Sequence, residues 1–255
     1  MGLYGGRPPA QLTLSDAITT GFRMVLQPNF VIPILAIGVV VNLVVMAAFV
    51  PFLVRMIAGD STSGTLLGGA MIAGVFGALI ASVIGGILLN LYGQVWATMA
   101  SVGEAPTMQA AFTRLGGRWM SILGAGLISA VATLGIMVVG GLLGALLGAL
   151  GILVILVALV AVIYVGARLS LAGWLAADGS AAMDAVRGSW ELTGSKLLLI
   201  VGWSLAYGII FAIVGGILGA VLGFVPLIGP ALSTTVGSAF GFGAGVTLYR
   251  RVKGA

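Results

Sequence analysis

The residues able to do chemistry in this chain are few, and their types narrow the reactions sharply. There is no histidine and no cysteine, so the commonest general base, the commonest metal ligand and all thiolate chemistry are absent. The six acidic residues are dispersed, and no two are placed for paired acid–base work. Gly-x-Ser-x-Gly, phosphate-loop and metalloprotease patterns are missing too. The densest polar cluster is Asp184, Arg187, Trp190 and Glu191. Its helical spacing permits two surface ion pairs, each worth roughly a few tenths of a kcal/mol. Glu104 and Glu191 stand where headgroups could be touched, but solvated interfacial carboxylates are the plainer reading. No catalytic residue, cofactor or metal site is expected, and the chain reads as non-enzymatic.

The elements that position these residues must sit in lipid. Hydrophobic residues make up 60% of the chain and charged ones 7%, with a mean hydropathy of +1.25. A soluble domain cannot hide that much apolar surface beneath a polar shell. No residue charged at neutral pH occurs between Asp60 and Glu104, between Arg118 and Arg168, or between Lys196 and Arg250. A helix crosses the hydrocarbon core in about 20 residues, so each run holds one or two spans. The expected fold is all-α, a polytopic transmembrane bundle. Six spans form three hairpins, each preceded by a short interfacial amphipathic helix.

Taken in order, residues 1–12 form a loose tail bearing Gly5, Gly6, Pro8 and Pro9. Three repeat-like units follow at 13–99, 106–176 and 179–249, and 250–255 make a basic tail. The first unit opens with a helix from Leu14, capped by Thr13 or Ser15, with Asp16 at the positive end of its dipole. Ile18, Phe22, Val25 and Leu26 share one face, and Arg23 lies on the other. The helix is too short and polar to span, which places it in the interface. The first span covers residues 30–54, with Asn42 near its middle, and Arg55 and Asp60 to Ser63 form a polar loop. The second lies within 66–99. It exceeds one straight crossing, so it tilts or projects from the bilayer near Asn90 to Trp96.

Pro106 and Thr107 open a second interfacial segment, carrying Arg114 and Arg118. The uncharged run from Trp119 to Ala167 holds spans three and four, turning near Gly148 to Gly151. The third segment starts after Asp178 with Ser180 as its N-cap, and 197–249 holds the last two spans, turning near Val225 to Pro230. No leader is expected, because the first apolar run begins only near Phe30. With six spans, Arg7, Arg23, Arg114, Arg118, Arg168, Arg187, Lys196, Arg250, Arg251 and Lys253 share one side, and only Arg55 lies opposite. The positive-inside rule then places both termini in the cytoplasm of a cell-membrane protein.

Gly140, Gly141, Gly144 and Gly148 are echoed by Gly215, Gly216, Gly219 and Gly223, and Gly237, Gly241 and Gly245 continue the spacing. Stripes of small residues let helices approach in lipid. They read first as intramolecular packing, with a homo-oligomer seam or pore lining as alternatives. Repeats of like orientation imply a pseudo-symmetry axis along the membrane normal.

The segments Arg168-Leu169-Ser170-Leu171-Ala172, Gly179, Ala185 and Ser189-Trp190-Glu191-Leu192-Thr193-Gly194-Ser195-Lys196 carry a family likeness. Together with Gly103-Glu104-Ala105-Pro106-Thr107 and Ala111-Phe112, they resemble the YciC-like group. They are equally similar to the membrane domain attached to some glycerophosphoryl diester phosphodiesterases. Where that family often has an aromatic after the last Gly, this chain has Ser195-Lys196-Leu197. The resemblance implies a six-span bacterial membrane protein without catalysis, since the phosphodiesterase site belongs to a separate soluble domain.

Two functions follow as expectations. The first is a protein that organises or stabilises a membrane partner, a cytoplasmic partner or the local bilayer. It would act through a basic interfacial collar attractive to anionic headgroups. Arg23, Arg114, Arg118, Arg168, Arg187, Trp190, Glu191 and Lys196 would make those lipid or partner contacts. The second is a permease or channel for small molecules or lipids, with a cavity between the hairpins. Asn42, Asn90 and Gln94 would be its intramembrane polar contacts. Nucleic acid is not expected as a partner, because topology accounts for the basic residues.

Overall fold

The computed structural model describes residues 8, 11–57, 64–104, 106–222 and 228–254. Most of the expected N-terminal tail, the loop at Asp60 to Ser63 and the first half of the turn near Val225 to Pro230 lie outside the described residues. Among the described residues the chain is all-helical, without strands. Six stretches are long and apolar enough to cross a membrane: Pro28–Pro51, Met71–Ser101, Met108–Leu146, Gly148–Asp178, Ala182–Leu222 and Gly229–Lys253. The expected polytopic bundle is the observed one.

Helix α1, Leu14–Val25, is started by a capping interaction. The Asp16 carboxylate accepts from the Thr13 N–H at 2.8 Å, meeting a donor the first turn cannot satisfy. The face that docks differs from the apolar face expected. Ala17, Thr20, Gly21 and Met24 are buried, whereas Phe22 and Leu26 are exposed. The reason is close approach to the last helix: a Cβ on Gly243 would stand 2.7 Å from the Gly21 nitrogen. Small residues therefore line the closest approach, with Met24 packed beside them, while Phe22 points outward.

Helices α2, Pro28–Ile57, and α3, Gly64–Ser101, pack as one hairpin. Helix α4, Met108–Leu146, and α5, Gly151–Leu169, make the second, turning through Gly148–Leu150 as expected. Thr107 caps α4, its hydroxyl accepting from the Ala110 N–H. The second interfacial segment is not a separate helix. Its residues are the first turns of α4, which runs unbroken for 39 residues, about 58 Å at helical rise. No proline or left-handed glycine interrupts Met108 to Leu146, so continuity is cheaper than a break.

Two short helices follow: α6, Ala172–Asp178, and α7, Ala182–Thr193, before α8, Leu197–Leu222, and α9, Ile228–Lys253. Ala181, not Ser180, is the N-cap of α7, and its hydroxyl-free cap is compensated by Asp184 in the first turn. Helices α8 and α9 form the third hairpin.

The buried core lies at one end of the molecule. It takes residues from α1, the start of α2, positions 91–100 of α3, the first turns of α4, α6, the start of α8 and the last turns of α9. The stretch around Tyr92 and Trp96, where the second span is expected to project if it does not tilt, is thus the centre of packing. Away from this end the hairpins diverge, and Leu127, Val131 and Val138 of α4 are exposed at 67%, 62% and 59%. Such surface is stable only against lipid. Helix α9 is the exception. Its span is 50% buried, against 6–22% for the others, and has the lowest hydropathy. A helix surrounded by α1, α2, α3 and α8 needs small residues for contact rather than large ones for lipid.

Candidate functional site

Three side chains lock the break between α5 and α6. The Ser189 hydroxyl donates to the Arg168 carbonyl at 2.7 Å and accepts from the Leu171 N–H at 3.2 Å. The Thr193 hydroxyl donates to the Ser189 carbonyl of its own helix at 2.7 Å and stands 3.2 Å from the Arg168 carbonyl. Where α5 ends inside the protein its last carbonyls lose helical partners, and α7 supplies replacements. The Arg168 guanidinium returns the favour. It donates to the Trp190 carbonyl at 2.9 Å, near the negative end of α7, and lies over the Trp190 ring at 4.9 Å. Two further donations go to the Tyr164 hydroxyl. The Ser-Trp-x-Leu-Thr segment is therefore a brace between helices.

A second lock closes the core end around Asp178, at the end of α6. Its carboxylate accepts from the Tyr249 hydroxyl at 2.6 Å and from Lys253 at 2.5 Å, with Arg250 at 3.7 Å. Arg250 also donates to Ser101 at 2.8 Å, joining α3 to the same knot. Lys196 donates to the Val252 carbonyl at 2.7 Å, meeting an orphan acceptor of the last turn of α9.

These bonds redistribute the expected basic collar. Arg168 and Lys196 are engaged internally, and Arg114 pairs with Glu104 at 3.6 Å. The Arg118 guanidinium lies against Gly179, whose φ of +134° is what calls for glycine there. Arg23, Arg187, Trp190 and Glu191 remain exposed on the surface.

The intramembrane polar residues divide differently. Asn42 donates to the Gly38 carbonyl of its own helix at 2.8 Å. Ser129, Thr133 and Thr235 likewise bond back to their own helices. Asn90 and Gln94 instead sit together between two cavities, with Gln94 donating to the Asn90 oxygen at 2.6 Å. One cavity, of about 550 Å³, lies between α3, α4 and α6 and carries Ser82 and Ser129 in its wall. The other, of about 650 Å³, lies between α3, α8 and α9 and carries Ser233, Thr234 and Ser238. A third, of about 390 Å³, continues along α8 past Ser204 and Tyr207. It shares Trp174, Phe211, Gly241 and Gly245 with the second. All three fall in the size range of small-molecule sites.

The cavities of about 650 and 390 Å³ run along a flat wall left by the glycines of α9. A Cβ on Gly241 would meet nothing within 4 Å, whereas one on Gly245 would strike Trp174 at 2.3 Å. The other two stripes part company: Gly140 and Gly144 seat Ala158 and Ile155 of α5, while Gly215 and Gly219 face open space. Sequence reading missed Trp174, Trp203 and Tyr207, because apolar runs mark depth without marking which face meets a void.

Among the described residues, four buried side-chain polar atoms lack a hydrogen-bond partner: Gln94 Oε1, Trp96 Nε1, Trp203 Nε1 and the Tyr207 hydroxyl. Gln94, Trp203 and Tyr207 all line the cavities. Buried polar groups are normally paired, and these lie apart: Gln94 borders the cavities of about 550 and 650 Å³, Trp203 and Tyr207 the one of about 390 Å³, each with its unpartnered atom closed off from the surface. No group of three or more metal-binding side chains occurs among the described residues. The chain matches no protein-family model, no curated protein and no solved structure.

Proposed function

We propose that this protein is a non-enzymatic membrane protein that gives an amphiphilic small molecule or lipid a path between its hairpins. One observation supports the reading above all: a chain of adjoining cavities, polar at Asn90 and Gln94 and apolar at Trp174 and Phe211. A molecule with a polar end and a greasy body fits such a lining. The divergence of the hairpins supports entry sideways from lipid, and α5 and α8 touch only sparsely. The core end, with its basic residues and both termini, faces the cytoplasm on the positive-inside rule.

The test is transport by proteoliposomes holding the purified chain, measured as uptake of a small polar solute and as exchange of a labelled lipid between leaflets. Signal above empty liposomes in either assay, lost in Gly241→Phe, is the expected result. No signal in both refutes the reading. The organising role keeps one observation of its own, the exposed outer face of α7 with Arg187 and Glu191. Recovery of the same membrane partner by wild type, and its loss in an Arg187→Glu variant, would favour that role instead.

A further inference from the structure

The hydroxyls in the spans are treated in two ways. Ser129, Thr133 and Thr235 donate to carbonyls of their own helices, at 2.8, 2.9 and 2.8 Å, which satisfies a hydroxyl where no water reaches. Ser233, Thr234 and Ser238 of α9 do not turn back, and none makes a side-chain hydrogen bond among the described residues. All three line the cavity of about 650 Å³, together with the Asn90 and Gln94 amides of α3. Hydrocarbon offers such groups no partner. Water does, and at about 30 Å³ apiece the 650 Å³ holds on the order of twenty.

The cavity also has a direction. Ser233 and Thr234 lie near the start of α9, away from the buried core, and Thr234 is exposed. At the opposite end Trp174 of α6 lies on the bare backbone of Gly245, where a Cβ would come within 2.3 Å of its ring. That ring stacks on Tyr249 with centroids 6.4 Å apart and meets Phe242 edge-on at 6.3 Å. Next to it Val246, Tyr249 and Val252 have no exposed surface. Hydroxyls therefore line the outer part, and aromatic rings stop the inner one.

Resting on the same cavities as the proposed path, we infer that the 650 Å³ cavity is a water-filled vestibule. It is entered from the non-cytoplasmic side and closed toward the cytoplasm by Trp174. None of the described residues lining it is charged, so its water supplies the hydration that a polar headgroup would otherwise lose between these walls.

The chain has no cysteine, so a single introduced cysteine reports its own surroundings. A thiol reacts as its thiolate, which forms in water and is suppressed in apolar surroundings. Thr234→Cys and Ser238→Cys probe the vestibule in the full chain. Ile213→Cys and Leu88→Cys are the controls, because those side chains are 58% and 45% exposed yet line none of the cavities. A membrane-impermeant thiol reagent is added to right-side-out and to inside-out membrane vesicles. Thr234→Cys and Ser238→Cys are expected to label from the non-cytoplasmic face at least tenfold faster than either control. Rates no faster than the controls overturn the inference, and so does faster labelling from the cytoplasmic face. Trp174→Leu, or Trp174→Phe if the first loses the wild-type size-exclusion profile, is combined with Ser238→Cys. Labelling from the cytoplasmic face is expected to appear while that from the other face stays. Unchanged one-sided labelling overturns the plug. Two failures stay distinct. Labelling as expected without transport in proteoliposomes removes the path and leaves the vestibule, whereas transport without labelling removes the vestibule alone.

Discussion

Replacing Ser189 by alanine separates a brace from a binding residue. The hydroxyl serves two backbone groups at the α5–α6 break, accepting from the Leu171 N–H at 3.2 Å and donating to the Arg168 carbonyl at 2.7 Å. Ser189 is fully buried, so no water replaces it. The Arg168 carbonyl keeps the Thr193 hydroxyl 3.2 Å away, able to turn to it from the Ser189 carbonyl at 2.7 Å. The Leu171 N–H is then the group left bare, and an unsatisfied buried donor costs about 1–3 kcal/mol. With a smaller loss at the carbonyl, the total is roughly 2–3 kcal/mol. For a chain of this size each kcal/mol moves the midpoint by about 2–4 °C, so Ser189→Ala should melt about 4–12 °C below wild type. Thr193→Val should fall less, since Ser189 still serves Arg168. Arg187→Ala, on the exposed face of the same helix, should not move. The assay is thermal unfolding of detergent-solubilised protein, read as the loss of the monodisperse peak on size exclusion after heating. An unchanged midpoint for Ser189→Ala, or a larger drop for Arg187→Ala, refutes the brace and returns the segment to the surface-site reading.

Three further outcomes follow from the same contacts. Gly245→Ala should destabilise by about 1–3 kcal/mol, because its Cβ would stand 2.3 Å from Trp174, and the same heating assay checks it. Asp178→Asn removes the one carboxylate shared by Tyr249, Arg250 and Lys253, leaving two cations adjacent. A loss of roughly 1–3 kcal/mol is expected, with Lys253, which is 44% exposed, supplying little of it. Restoration by a second change, Lys253→Met, would be measured in a double-mutant cycle, and strict additivity would sink the idea of a coupled knot. Gly241→Phe meets nothing within 4 Å at its Cβ and places its ring in the junction of two cavities; the expected outcome is a wild-type size-exclusion profile with transport lost.

Composition and charge spacing alone determined that this is a six-span helical membrane protein, because lipid admits few solutions and each leaves a long uncharged run. The hairpin turn at Gly148 and the capping of α1 and α4 were likewise local matters, settled by glycine, Thr13 with Asp16, and Thr107. The docking face of α1 was not, because periodicity ranks residues by hydrophobicity while contact in lipid rewards the small ones that admit a neighbour. Arg168 and Trp190 looked like a surface site, since one sequence cannot show that Ser189 and Thr193 reach across to the end of another helix. Asn90 and Asn42 read alike as polar residues in apolar runs. Only the tertiary arrangement gave one a cavity and left the other bonded to its own turn, because a void is made by the helices that fail to meet around it.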